Sequence, residues 1–248
     1  MLNHQTAEKL RAMRLPALAN EFLRQLETPD MNALDFGERM GMLVDAEWLS
    51  RENNRITKLI KNANLRHSNA CFADIDYRPT RKLEQKSVAR LSNFTWVKEH
   101  KNVIITGATG TGKTWLASAF GREACLQGIS AKLYRASRLM SELSLASGSG
   151  NLPKALAKLN KIEILILDDW GMNTITPAES RLLHEIFEDR IGRLSTIIAA
   201  QVPVSKWFDL FEDATAADAV LDRIVHNSYR FELHGQSLRA KPIGEVVQ

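Results

Sequence analysis

Cysteine is nearly absent from this 248-residue chain: Cys71 and Cys125 stand far apart and belong to no metal or redox motif. That argues against a disulfide framework and suits a reducing cytosol. No apolar run approaches the ~18 residues that would cross a bilayer, so no transmembrane helix and no membrane partner are expected. The opening MLNHQTAEKLRAMR carries no signal-peptide pattern. Six histidines show no metal-ligand spacing. The HEIFE stretch at His184 resembles a zinc-protease helix but has Glu188 where the second histidine belongs. There is no internal repeat, no low-complexity tract and no acidic triad suited to DNA-joining chemistry. What is present is ordinary: 44% hydrophobic and 25% charged residues can bury a core in one large domain, or in a core plus a small one.

The net charge of +4 is modest, but its placement is uneven. Residues 1–50 carry −3, residues 51–101 carry +7 and residues 102–248 carry 0. Arg51, Arg55, Lys58, Lys61 and Arg66 are followed by Arg78, Arg81, Lys82, Lys86 and Arg90. Such a block fits either a solvated helical face or a surface that meets a polyanion.

The stretch NVIITGATGTGKTWLASAF, 102–120, holds the strongest local signal. Gly107, Gly110, Gly112, Lys113 and Thr114 satisfy G-x-x-x-x-G-K-[ST]. A β-branched run at 103–106 predicts a buried strand before it, and WLASAFGREACL predicts a helix after it. Glycines let successive backbone N–H groups turn inward, and the helix start adds its positive dipole end. Gly107, Ala108, Thr109, Gly110, Thr111 and Gly112, with Lys113, Thr114 and Trp115, are therefore expected to hold a nucleoside triphosphate. Lys113 would reach the β- and γ-phosphates, and the Thr114 hydroxyl would ligate Mg2+.

Residues 1–70 read as helices. Leu15, Leu18, Phe22 and Leu26 form one apolar stripe; Phe36, Met40, Leu43, Val44, Trp48, Ile56, Leu59 and Ile60 form a longer one, expected to be core. The stretch around 62–80 breaks the pattern, so 71–101 reads as a basic linker or entry segment. From Asn102 onward, strands at 103–106, 131–135, 162–167, 195–200 and 229–233 alternate with helices at 113–126, 137–146, 152–160, 177–193, 204–210 and 216–227. This predicts an α/β domain over 102–248 with a parallel sheet flanked by helices, and ligands at the strands' C-terminal ends.

The run IEILILDDWG, 162–171, sends an apolar strand into two aspartates at that same edge. Asp168 would hold the Mg2+ shell, and Asp169 would orient or deprotonate an attacking water. Asp168 to Gly171 also satisfies the D-x-x-G of GTP-binding switches, and Asn160 to Glu163 mimics their base-reading motif. The two occur in the wrong order for that class. Gln201, at the tip of the STIIAA strand, can hydrogen-bond the γ-phosphate or the water. Arg223 sits on a predicted helix, where an arginine is either surface or a reach into a neighbouring subunit's site.

The order GATGTGKT, LILDDWG, STIIAAQVPVSKWFDLF, DAVLDRIVHNSYRFELHGQSLR resembles the IstB-like transposition helpers. These are AAA+ ATPases similar to DnaC-type helicase loaders and DnaA-type initiators. The resemblance covers nearly the whole chain, and the stretch from Val202 to Arg239 is its most specific part. It implies a P-loop AAA+ core after a small helical N-terminal domain at 1–70. Few residues follow Arg223, so no C-terminal lid domain is expected. Residues 107–114 would be the Walker A loop, Asp168 and Asp169 the Walker B pair, Gln201 the sensor-1 position and Arg223 an arginine finger acting in trans, with Arg239 a further phosphate contact. Two residues depart from the general AAA+ pattern. Asp169 replaces a glutamate, which implies slow hydrolysis, and Gln201 replaces an asparagine. The initiator clade carries an extra helix before the Walker B strand. Residues 137–161 are long enough for it, and Arg138, Lys154 and Lys158 would then join Arg51, Arg55, Lys58 and Lys61 as candidate DNA contacts.

The function expected from this resemblance is an ATP- and Mg2+-dependent ATPase of the bacterial cytosol. It would self-assemble on duplex DNA, largely without reading sequence, and would assist a transposase. The alternatives are a DnaC-like helicase loader, a small-molecule P-loop kinase, and a nucleotide-gated DNA-binding scaffold in which hydrolysis hardly matters.

Overall fold

The structure, a computed structural model, describes residues 2–238, so Arg239 lies outside the described residues. The chain divides into two compact units, Met1–Lys58 and Leu59–Gln248. In the first, α1 (Leu2–Ala12), α2 (Pro16–Glu27) and most of α3 (Phe36–Asn62) surround a small interior. Ala7 and Ala19 are its buried apolar residues, joined by the polar Gln25 and Glu47. No side chain of its own caps α2. Glu47 of α3 supplies the acceptor instead, taking the N–H groups of Ala17 and Leu18 at 3.0 and 3.2 Å, two of the donors a helix start leaves unpaired. The Arg51 hydrogen bond, with these two N–H groups, holds the Glu47 carboxyl below its usual range against the opposing cost of burial.

This polar clasp corrects the expectation for α3. Phe36, Met40, Val44 and Trp48, read as core, are exposed, Phe36 and Trp48 by 83% and 69%. The face of α3 that packs in this unit carries Glu47, not the aromatic stripe.

In the second unit the sequence Leu59 to Lys101 is folded as part of the nucleotide module. It contains α4 (Gln85–Leu91) and α5 (Thr95–Lys98). Its buried Ala63, Ile75, Leu83, Val88, Phe94 and Trp96 belong to one core with residues of the sheet. Five parallel strands follow: β1 (Asn102–Gly107), β2 (Ala131–Arg135), β3 (Ile164–Trp170), β4 (Ser195–Ala200) and β5 (Ser228–Leu233), in the order β2-β3-β4-β1-β5. The connecting helices are α6 (Lys113–Leu126), α7 (Ala136–Gly148), α8 (Leu152–Leu159), α9 (Pro177–Arg190) and α10 (Ala214–Val225).

An all-parallel sheet has to be covered on both faces, and the alternation of residues along each strand serves both. Val103 and Ile105, Ile164 and Ile166, and Ile197 and Ala199 enter the core beneath α6. Ile104, Leu165, Leu167 and Ile198 enter the opposite core, shared with α7, α9 and α10. The expected helix at 204–210 is instead two 3-10 turns, Val204–Lys206 and Phe208–Leu210. Trp207 lies fully buried between them, and its indole N–H turns back to the Val202 carbonyl at 2.9 Å. Two helices, α7 and α8, stand between β2 and β3. Among the described residues no helix is long and apolar enough to cross a membrane.

Candidate nucleotide site

β1 ends at Gly107, and α6 begins at Lys113. The loop between them curls because Gly107, Gly110 and Gly112 take φ of 147°, 82° and 89°. At Gly107 a Cβ would lie 2.3 Å from the Leu233 carbonyl of β5, so no other residue fits without moving the sheet. Lys113 is buried against the loop, its Nζ donating to the Ala108 carbonyl at 2.8 Å.

β3 delivers the carboxylates. Its pairing with β4 is irregular between Leu167 and Trp170, and Asp169 adopts a left-handed φ of 59°, which aspartate tolerates better than most residues. The bulge turns consecutive aspartates to different surroundings. Asp168 is 1% exposed and accepts from Thr114 Oγ1 at 2.9 Å. Asp169 is half-buried, and Arg135 Nε lies 3.6 Å from its Oδ2. At the end of β4, Gln201 Oε1 accepts from Thr109 Oγ1 at 2.8 Å, which ties that strand tip to the glycine loop. Thr109, Lys113, Thr114, Trp115, Asp169 and Gln201 all line one cavity of about 320 Å³.

These residues fit a metal–triphosphate. A cradle closed to any Cβ, a lysine at its floor, and a hydroxyl beside a buried carboxylate form an oxygen donor set for a hard cation next to an anion site.

The sequence reading missed the roles of two arginines, both assigned to the basic block. Arg66 Nη1 lies 2.9 Å from Asp168 Oδ2 and 3.3 Å from Asp169 Oδ2. Arg81 is buried, and its Nη2 donates to the carbonyl of Thr111 inside the loop, while Nη1 lies 3.6 Å from Asp76. No spacing in the sequence marks either, because each acts across a long-range contact. The remaining candidates lie elsewhere. Arg51 is paired with Glu47 at 2.8 Å, and Arg55 with Glu52 at 3.1 Å. Lys58 and Lys61 are exposed on α3, Arg138 on α7, and Lys154 and Lys158 on α8.

Arg223 is remote from its own cradle. Its Nε pairs with Glu188 of α9 at 2.5 Å, and its carbonyl accepts from Asn102 Nδ2 at 3.5 Å. Asn102 opens β1 and Gly107 closes it, so Arg223 lies beside one end of a strand about 16 Å long and the cradle lies at the other.

The family model described as IstB-like ATP binding protein matches residues 8–244. A protein of Sinorhizobium fredii, named as an insertion sequence ATP-binding protein, is 39% identical over 96% of this chain and 97% of its own length. The ATP-binding protein named for insertion sequence IS1162 of Pseudomonas fluorescens is 38% identical over 83% of this chain and 89% of its own. Among solved structures, the DnaC helicase loader superposes with a TM-score of 0.54 at 21% identity, covering 70% of this chain and 98% of that one. AMPPCP-bound DnaA from Aquifex aeolicus gives 0.55 at 18%, covering 67% and 50%. These two show the P-loop AAA+ fold. By its match over nearly its whole length, this chain belongs to the family of IstB-like ATP-binding proteins.

Proposed function

We propose that this protein is an ATP-dependent assembly factor for duplex DNA that assists a transposase. The observation that carries the reading is the separation of Arg223 from Gly107 by the length of β1. A chain with its phosphate cradle at one end of a strand and a candidate finger at the other completes a site only with a second copy. Thr114 and Asp168 would hold Mg2+, which neutralises charge on the triphosphate when bound. Lys113 binds the phosphates, Gln201 reports their presence to the end of β4, and Asp169 orients the water. Arg223 of an adjacent copy would stabilise the charge that develops on the leaving phosphates. Exposed Lys and Arg hold the DNA backbone without reading its sequence. The names of the relatives support the insertion-sequence setting, and a transposase is the partner that setting implies.

Sedimentation with and without a short duplex and a non-hydrolysable ATP analogue tests the reading. It expects a large assembly only with both ligands, and a chain that stays monomeric under saturation with both refutes it. Pull-down against a transposase and against a replicative helicase separates the transposition helper from the DnaC-like loader.

A second reading has its own observation. Asp169 is one methylene shorter than the usual glutamate, and Arg66 and Arg135 both lie against it. That favours a nucleotide-gated scaffold in which hydrolysis is slow and serves only to reset the assembly. Transposition that persists in an Asp169→Asn variant without turnover would select it.

A further inference from the structure

Arg66 lines two cavities at once. One is the nucleotide cradle. The other is a groove of about 920 Å³ along the edge of the sheet at β2. The charged lining of that groove is Lys61, Arg66, Lys132, Arg135 and Arg138 against one carboxylate, Glu142. Glu142 is already paired with Arg138 at 3.3 Å. Cations gathered from α3, β2 and α7 around an open groove repel one another, and a run of phosphates relieves that repulsion. The groove is large and its cations come from separate elements, which suits a polymer of phosphates better than a single anion.

The backbone explains why Arg66 stands at this junction. Leu133 N–H of the edge strand donates to the Ala63 carbonyl at 2.8 Å. Asn64 then takes a left-handed φ of 51° and sends its amide toward the Leu133 carbonyl at 3.5 Å. These bonds fix the chain against β2, and Arg66 reaches past it to the carboxylates of β3. Its side chain is 32% exposed, so it can turn outward without unpacking the core. On Asp168 it uses the carboxylate that a metal–nucleotide would require, and a guanidinium and a divalent cation on one carboxylate repel.

We propose that this groove carries nucleic-acid backbone phosphates and that Arg66 is a positioning residue shared between groove and nucleotide site. Phosphate in the groove draws Arg66 off Asp168 and Asp169 and opens those carboxylates to the metal–nucleotide. Without a polyanion, the four other cations of the groove disfavour that movement. The inference rests on the DNA-binding reading above and adds to it a location and a coupling. Because coupling is reciprocal, duplex must tighten nucleotide binding by the factor by which nucleotide tightens duplex binding.

The test is the affinity of the full chain for a fluorescent, non-hydrolysable ATP analogue with Mg2+, with and without a random-sequence duplex. In the natural chain, duplex should tighten the nucleotide by on the order of tenfold. In Arg66→Gln the nucleotide should bind more tightly before duplex is added, and the gain from duplex should shrink severalfold, to what assembly alone supplies. Lys61→Glu with Arg138→Glu should weaken duplex binding severalfold and lower its salt dependence, and should tighten nucleotide binding without duplex, because two of the charges that oppose Arg66 entering the groove are reversed. Weaker nucleotide binding by Arg66→Gln would make Arg66 a direct phosphate ligand and overturn the proposal. Coupling as large in Arg66→Gln as in the natural chain belongs to assembly alone and overturns it too. Duplex binding indifferent to the paired charge reversal sinks the groove but leaves the DNA-binding reading standing. Absence of any duplex binding by the natural chain sinks both.

Discussion

Thr114 Oγ1 donates to Asp168 Oδ1 at 2.9 Å, joining the first turn of α6 to the end of β3. The hydroxyl and the carboxylate come from segments 54 residues apart, and both are held by buried elements. Such a pair is already arranged for a shared cation. Thr114→Ala should therefore weaken nucleotide binding about tenfold or more in the presence of Mg2+ and much less in its absence, since a hydrogen bond or ligand to a charged group contributes about 1.5–3 kcal/mol. Fluorescence titration of a nucleotide analogue at two Mg2+ concentrations measures this. Equal losses under both conditions would mean that Thr114 acts on the fold instead.

Arg223→Ala should bind nucleotide with unchanged affinity and lose turnover by a factor of about 10³, the scale of a missing arginine finger. Mixing it with Asp169→Asn should restore part of the activity, because one kind of mixed interface carries an intact cradle and an intact finger. A mixture as inactive as its components would place the effect within a single chain.

Arg190 predicts a stability effect that has nothing to do with nucleotide. It is 2% exposed and donates to Thr196 Oγ1 and to the carbonyls of Leu159, Ile162, Glu163 and Ser195, clasping the starts of β3 and β4. Burial pushes its pKa down to about 9, which leaves it charged at neutral pH. Arg190→Met keeps much of the volume and strips the carbonyls of their donor. Urea unfolding should show a loss of about 2–4 kcal/mol, the cost of several buried acceptors left partly unpaired.

Asp76 predicts a dependence on acid. The Arg78 side-chain hydrogen bond is the main cause that brings its carboxyl from 3.8 to about 2, against the cost of burial. A depressed carboxyl contributes stability above its unfolded value, and that contribution disappears as pH falls through 3.8 toward 2. Asp76→Asn should be less stable than the natural chain at pH 7 by about 1 kcal/mol, a figure reduced for solvent screening. The difference should close in melting curves taken down that range. A gap that persists below pH 2 would mean that packing, not charge, is lost.

The parts of the fold that follow from local pattern were legible in the sequence. The helix at 113–126 and the strands at 131–135 and 195–200 match the observed bounds, because glycine punctuation and β-branched runs mark them without help from tertiary structure. β3 was expected at 162–167 but runs through Trp170, because the bulge that admits Asp169 into the strand depends on its pairing with β4. On α3 the stripe divides: Leu59 and Ile60 at its end pack against the core of the sheet, while Phe36, Met40, Val44 and Trp48 are exposed, and periodicity does not tell the two parts apart. At the site, the loop and the aspartate pair were visible as motifs. Arg66 and Arg81 were visible only as charge, because their partners, Asp168 and Thr111, lie 102 and 30 residues away. Charge runs look the same in sequence whether a residue faces solvent or braces a phosphate loop.

β1 also imposes a direction. Its two ends differ: one presents the glycine cradle, the other lies beside Arg223. Copies joined cradle to arginine meet through unlike patches, so the row they form is heterologous and polar. If the rotation per copy closes, every chain in the ring is equivalent. If it does not, the two terminal copies are chemically distinct, one with an arginine that meets nothing and one whose cradle is never completed. An open row of this kind could lengthen or shorten differently at its two tips, and a partner that recognises one tip would engage it once per row whatever the number of copies.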